Sequence, residues 1–139
     1  MALQMSSNSG HISIQKLKNK AVIADKCHVA ECFVFRLRGL IGRTSLEPGE
    51  GMLFPKCNSV HTWLMSIAID VVFLRKELRK EPREDCKSGA VFTVLSVHHG
   101  VKPWRIFPLY KKGASETLEL PAGIAGKYAI EAGDELCIS

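Results

Sequence analysis

The residues of this chain that could carry chemistry cluster between Val60 and Leu74, VHTWLMSIAIDVVFL, where His61, Trp63 and Asp70 interrupt an apolar run. In a regular strand alternate residues share a face, so His61, Trp63, Met65 and Ile67 would point one way and Thr62, Leu64 and Ser66 the other. An imidazole and an indole on one face suit the mouth of a pocket. They equally suit an inward face whose His is hydrogen-bonded in the core. Asp70 sits inside IAIDVVFL, and a carboxylate there needs hydrogen bonds, an ion partner or a cleft. Arg43, Arg105 or backbone N–H groups are its structural partners; a general base or a ligand-binding carboxylate is the functional alternative. Glu119, between Leu118 and Leu120, poses the same question. Together Asp70 and Glu119 would form a paired-carboxylate site for acid–base work. Lys102, Pro103, Trp104 and Arg105 join a rigid backbone, a broad aromatic surface and a fixed cation. That set suits an exposed patch for sugar, base or peptide, or else a Trp plug with Arg105 paired to Asp70.

Other chemistries find less support. Cys57, His61 and Met65 recur every fourth residue and form a soft set suited to copper. A strand separates the first and last residues of five by about 13 Å, whereas metal–ligand bonds are about 2 to 2.3 Å, so one ion could not reach all three. His98 and His99 could supply a second side, but no metal site and no cofactor is expected. The chain holds no GxSxG elbow, phosphate-cradling loop or HExxH. The net charge of +5 and pI near 9.0 permit contact with nucleic acid or anionic surfaces without implying it. With no aromatic-rich RNA motif, nucleic-acid binding would rest on charge alone.

The chain of 139 residues suits one domain: a loose tail over residues 1–10 and a β-rich unit over 11–139. No apolar run approaches the roughly 20 residues needed to span a bilayer, and the N-terminus lacks the pattern of a secretory signal. The five cysteines are odd in number and form no CxxC pair, which points to free thiols in a reducing cytoplasm.

Positioning falls to many short strands. His11 to Lys18 and Ala21 to Ala24 read as a hairpin turning at Asn19–Lys20. Ala30 to Ile41 switches to helical spacing, with Arg36, Arg38 and Arg43 on its solvated side. Met52–Leu53–Phe54 is a strand ended by Pro55, and Val60 to Met65 and Ile67 to Leu74 are two strands or one bent strand. Arg75 to Gly89 is a mixed-charge loop or hairpin tip. Ala90 to Val97 alternates, Glu116 to Leu120 is short, Pro121 to Lys127 fits one helical turn, and Glu135 to Ile138 is the last strand. No βαβα rhythm occurs. The expected fold is mainly β: an antiparallel sandwich, jelly-roll-like or a partly open barrel, with two short helices.

Laid out in order, RLRGLIGR (Arg36 to Arg43), LEPGEGMLF (Leu46 to Phe54), VHTWLMSIAIDVVFL (Val60 to Leu74), GVKPWR (Gly100 to Arg105), LELPAG (Leu118 to Gly123) and IEAGDEL (Ile130 to Leu136) resemble the uncharacterised conserved family known as domain of unknown function 192. The resemblance implies a small sandwich or jelly-roll fold and no established activity. Many relatives look exported. The charged stretch Arg75 to Gly89 is longer than the family would lead one to expect.

The expected function is a non-catalytic module binding a small molecule or partner protein through a cleft of His61, Trp63, Asp70, Trp104, Arg105 and Glu119. The alternatives are a hydrolase using His61 with Asp70 or Glu119, and a weak nucleic-acid binder.

Overall fold

Alternation in ISIQK and a good turn start the fold. The computed structural model describes residues 10–30, 46–60, 66–105 and 107–139. Strands β1 (Ile12–Lys16) and β2 (Val22–Val29) pair antiparallel. Their turn is closed by Lys16 N–H donating to Ala21 O at 2.8 Å. Asn19 Oδ1 accepts from Ala21 N–H at 3.1 Å, and Lys20 takes the left-handed conformation. A short polar side chain that caps its own turn is what Asn supplies at such sites.

Among the described residues the remaining strands are β3 (Gly49–Pro55), β4 (Ser59–Val60), β5 (Ile69–Lys76), β6 (Ala90–Val101), β7 (Leu109–Tyr110), β8 (Glu116–Pro121) and β9 (Glu135–Ile138), with one short helix, α1 (Ile124–Lys127). Seven strands close a barrel in the order β1-β2-β3-β8-β5-β6-β9, and β9 returns to pair with β1. Every pairing is antiparallel except β2 with β3. Of the expected architectures the barrel holds, closed rather than partly open, and the sandwich and jelly roll are not shown. The reason is that both edges of β1 are taken, by β2 and by β9, and side-chain periodicity reports faces but not which edges meet. Of the two expected helices, the described residues contain α1; the other falls on residues 31–41, outside them.

The barrel is filled by Ile14, Ile23, Cys27, Leu53, Val72, Leu74, Phe92, Val94, Leu118, Leu120 and Leu136, with Ile124 and Ala125 of α1 joining the same cluster. Each such aliphatic or aromatic side chain contributes about 1.5–3 kcal/mol. A second apolar cluster lies on the outside of β5. There Ile69, Val71 and Phe73 pack with Val101 and with Val60 and Leu109 of the β4–β7 ribbon. Strand β5 is therefore covered on both faces, which explains its near-continuous apolar run.

The mixed-charge loop between β5 and β6 is pinned rather than free. Cys86 is disulfide-bonded to Cys137 of β9, with Cα atoms 5.7 Å apart. Arg83 pairs with Asp85 at 2.7 Å, with Glu77 at 3.4 Å, and with Glu135. This corrects the expectation of free thiols for two of the five cysteines. The partners stand 51 residues apart, so no local spacing betrays them. Cys27 and Cys57 are free thiols; Cys32 lies outside the described residues.

Candidate functional site

Of the expected site residues, His61 and Trp63 lie outside the described residues. Asp70, Trp104, Arg105 and Glu119 are described, and they divide between opposite sides of the barrel wall.

Asp70 shares its parity on β5 with Val72 and Leu74, whose side chains fill the barrel, and it is fully buried. Its Oδ1 accepts from Gly100 N–H at 2.8 Å, and its Oδ2 from Gly123 N–H at 3.0 Å and Ala125 N–H at 2.9 Å. Of the partners expected for Asp70, backbone N–H groups are the ones the structure shows, three in number among the described residues. One carboxylate ties the C-terminal end of β6 to the start of α1, satisfying N–H groups that the helix itself cannot. Gly123 has φ 92°, a conformation that a side chain would strain. Through Gly100 N–H, Asp70 ties down the backbone next to His98, His99 and Lys102.

Glu119 has the opposite parity. It stands across from Val71 on β5 and Met52 on β3, and Val71 belongs to the outer cluster. Asp70 and Glu119 therefore face opposite sides of the sheet, and the expected paired-carboxylate site does not form. Glu119 is only 5% exposed. Burial alone pushes its carboxyl up to about 8, so at neutral pH it is held mostly as the neutral acid.

The next strand places a histidine on the same outer face. Val71 is opposite Glu119 on one side and His98 on the other. The His98 ring meets the Phe73 ring edge-on, with centroids 5.6 Å apart, and its Nε2 lies 3.4 Å from Ser96 Oγ. Burial, then the charges of Arg105, Lys111 and His99, hold His98 below the usual histidine range, so it is neutral at pH 7. His98 and His99 line a shallow recess of about 540 Å³ with Val97, Gly100, Val101, Lys102 and Arg105. His99, Lys102, Trp104 and Arg105 are exposed, Trp104 by 63%. Trp104 also adopts φ 60°, an uncommon conformation for a bulky residue and one found often at binding sites.

Sequence reasoning missed His98 as part of this recess. Counting by twos from Phe92 and Val94, which are inside, places Ser96 and His98 inside as well. A β-bulge intervenes: Phe73 pairs with Ser96 while Leu74 pairs with Val94. One extra residue flips the strand, so Val97 turns inward and His98 outward. A second irregularity between Ile69 and Val71 does the same near Gly100, whose φ is 56°. Bulges of this kind re-aim side chains.

Arg105 and Lys102 present positive charge and the two imidazoles hydrogen-bonding nitrogens, with no carboxylate among the described residues that line the recess. That arrangement can hold an anion. The described residues contain no group of three His, Cys, Asp or Glu able to hold a metal ion. Cys57, one member of the soft set, lies 3.0 Å through its Sγ from Ser59 O.

The class this architecture defines is a small closed β-barrel with an outer ribbon over β5 and, among the described residues, one short helix. Its family resemblance is confirmed: the model of domain of unknown function 192, described as Uncharacterized ACR, matches residues 14–80. The three later motifs lie beyond that stretch. Two solved structures share the fold. A protein of unknown function from Novosphingobium aromaticivorans DSM 12444 has TM-score 0.67 at 21% identity, covering 90% of this chain and 81% of that one. A candidate transcription regulator from Sinorhizobium meliloti 1021 has TM-score 0.69 at 18% identity, covering 91% of each. No curated protein matches the chain. Among the described residues, no helix is long and apolar enough to cross a membrane.

Proposed function

We propose that this protein is a non-catalytic binding module whose recess on the outside of the barrel takes an anionic group, a carboxylate or phosphate on a small molecule or a larger partner. The observation that carries this reading is the convergence of His98, His99, Lys102 and Arg105 on one recess, beside an exposed Trp104 in a strained backbone conformation. Arg105 supplies a planar, permanently charged fork, Lys102 a mobile ammonium, and Trp104 an apolar surface at the rim. Asp70 and Glu119 bind nothing directly: Asp70 holds the Gly100 backbone in place, and Glu119 lies in the wall behind.

A hydrolase built on Asp70 loses its support, because three N–H groups occupy that carboxylate and leave it no role as a base. The disulfide supports a compartment more oxidising than the cytoplasm first expected.

Isothermal titration with inorganic phosphate and with galacturonate, each against the wild type and Arg105→Ala, tests the reading. Charge-assisted hydrogen bonds contribute about 1.5–3 kcal/mol, so the variant should bind about tenfold or more weakly. Equal affinity in the two proteins contradicts the reading.

A further inference from the structure

Beyond the recess, the chain presents an unusual run of apolar rings in water. Trp104, Phe107 and Tyr110 are 63%, 74% and 61% exposed, and they follow one another at intervals of three residues. Cations are interleaved with them: Lys102, Arg105, Lys111 and Lys112, with no acidic residue from His98 to Lys112. Two of them, Arg105 and Lys111, lie close enough for their charges to bear on His98. Tyr110 and Lys111 are anchored by the ribbon, with Tyr110 paired to Ser59 and Lys111 N–H donating to Asn58 O at 3.0 Å. Flat rings alternating with cations suit a polymer of rings that carry negative charge.

Three polyanions fit that description: single-stranded nucleic acid, an acidic peptide and an acidic polysaccharide. The recess is shallow and open, so it offers no enclosed pocket of the kind that anchors a peptide side chain. The Cys86–Cys137 bridge belongs to an oxidising compartment, where nucleic acid is not the usual polyanion.

We propose that Lys102, Trp104, Arg105, Phe107, Tyr110 and Lys111 form a docking strip for an acidic polysaccharide, sugar rings lying on the aromatic faces and carboxylates or sulfates meeting the cations. The proposal rests on the anion-binding reading of the recess and extends it to a ligand class. Binding at several points along one polymer raises the apparent affinity well beyond that of a single residue. Screening by salt weakens it.

The test measures binding of the full chain to polygalacturonate, galacturonate monomer, neutral dextran, polyglutamate and a thymidine oligonucleotide, by biolayer interferometry with the indole N–H resonances followed by NMR. Polygalacturonate is expected to bind at least 100-fold more tightly than the monomer, and more tightly than polyglutamate or the oligonucleotide. Dextran should not bind. Trp104→Ala and, separately, Phe107→Ser should each weaken the polymer about tenfold while leaving the melting temperature unchanged. Oligonucleotide or polyglutamate binding as tight as polygalacturonate overturns the proposal, as does polymer binding indifferent to both substitutions. Monomer binding that depends on Arg105, without any gain from the polymer, overturns the polysaccharide strip and leaves the recess reading standing. Absence of binding by monomer, phosphate and polymer overturns both.

Discussion

The loop between β5 and β6 and the stretch that runs from the end of β6 into β7 are both rich in charge, yet they use it in opposite ways. Residues 77–89 carry four acidic and four basic side chains. Arg83 is surrounded by Glu77, Asp85 and Glu135, and the disulfide fastens the loop to β9. Residues 98–112 carry four lysines and arginines, two histidines and no acid. The first region spends its charge on itself and becomes part of the scaffold. The second carries charge of one sign and places two of its cations, Lys102 and Arg105, in the lining of the recess. A count of charges cannot separate these uses; the sign balance within each stretch, and what is covalently tied, can.

That contrast can be broken from the scaffold side first. Replacing Cys86 and Cys137 together by Ser should cost roughly 4 kcal/mol on the chain-entropy view of a bridge that closes a loop of this length. Chemical denaturation would show it, and phosphate affinity should stay within a factor of two. A large loss of affinity would mean that the two regions are coupled. Asp70→Ala should cost about 3 kcal/mol, because three buried N–H groups lose their acceptor. Since Gly100 is one of them, binding should weaken as well, which separates a positioning carboxylate from a purely structural one.

Glu119 sharpens the comparison through pH. Its folded-state value, raised to about 8 from the ordinary 4.5, means that the folded protein holds this proton more tightly than the unfolded chain. The associated stability is present in full below about pH 4.5 and is lost as pH rises to about 8. Glu119→Gln should therefore raise the melting temperature at pH 8 to 9 and change it little at pH 4. A variant that melts like the wild type at both ends of the range would show that this carboxyl is not desolvated. The smallest effect on stability belongs to the recess: Lys102→Ala should shift unfolding by no more than about 0.5 kcal/mol, while anion affinity falls several-fold.

Much of the strand order was legible. The hairpin at Asn19–Lys20, the strand before Pro55, the helical turn after Pro121 and the last strand are all where turn residues and alternation placed them. For Asp70 an apolar run leaves hydrogen bonds, an ion partner or a cleft open, and the structure shows the hydrogen bonds. Three things were hidden. Barrel closure depends on β1 meeting β9, a contact between the two ends of the described chain that no local pattern encodes. The disulfide joins positions 51 residues apart in a chain whose odd cysteine count argued against pairing. His98 was concealed by a bulge that inverted the faces of β6. Trp104 and Arg105, by contrast, could be singled out because Lys-Pro-Trp-Arg is unusual as a composition, whatever the fold around it. His61 and Trp63 lie outside the described residues.

The most direct measurement of the central claim is the NMR titration of His98 with and without saturating galacturonate. In the free protein its pKa lies below the ordinary 6.5, through burial and the neighbouring cations. An anion seated among Arg105, Lys102 and the imidazoles would favour the imidazolium and raise that pKa measurably. The account predicts an upward shift that disappears in Arg105→Ala. A His98 titration curve unchanged by the ligand, while galacturonate binding is detected by calorimetry, would place the anion elsewhere and contradict it.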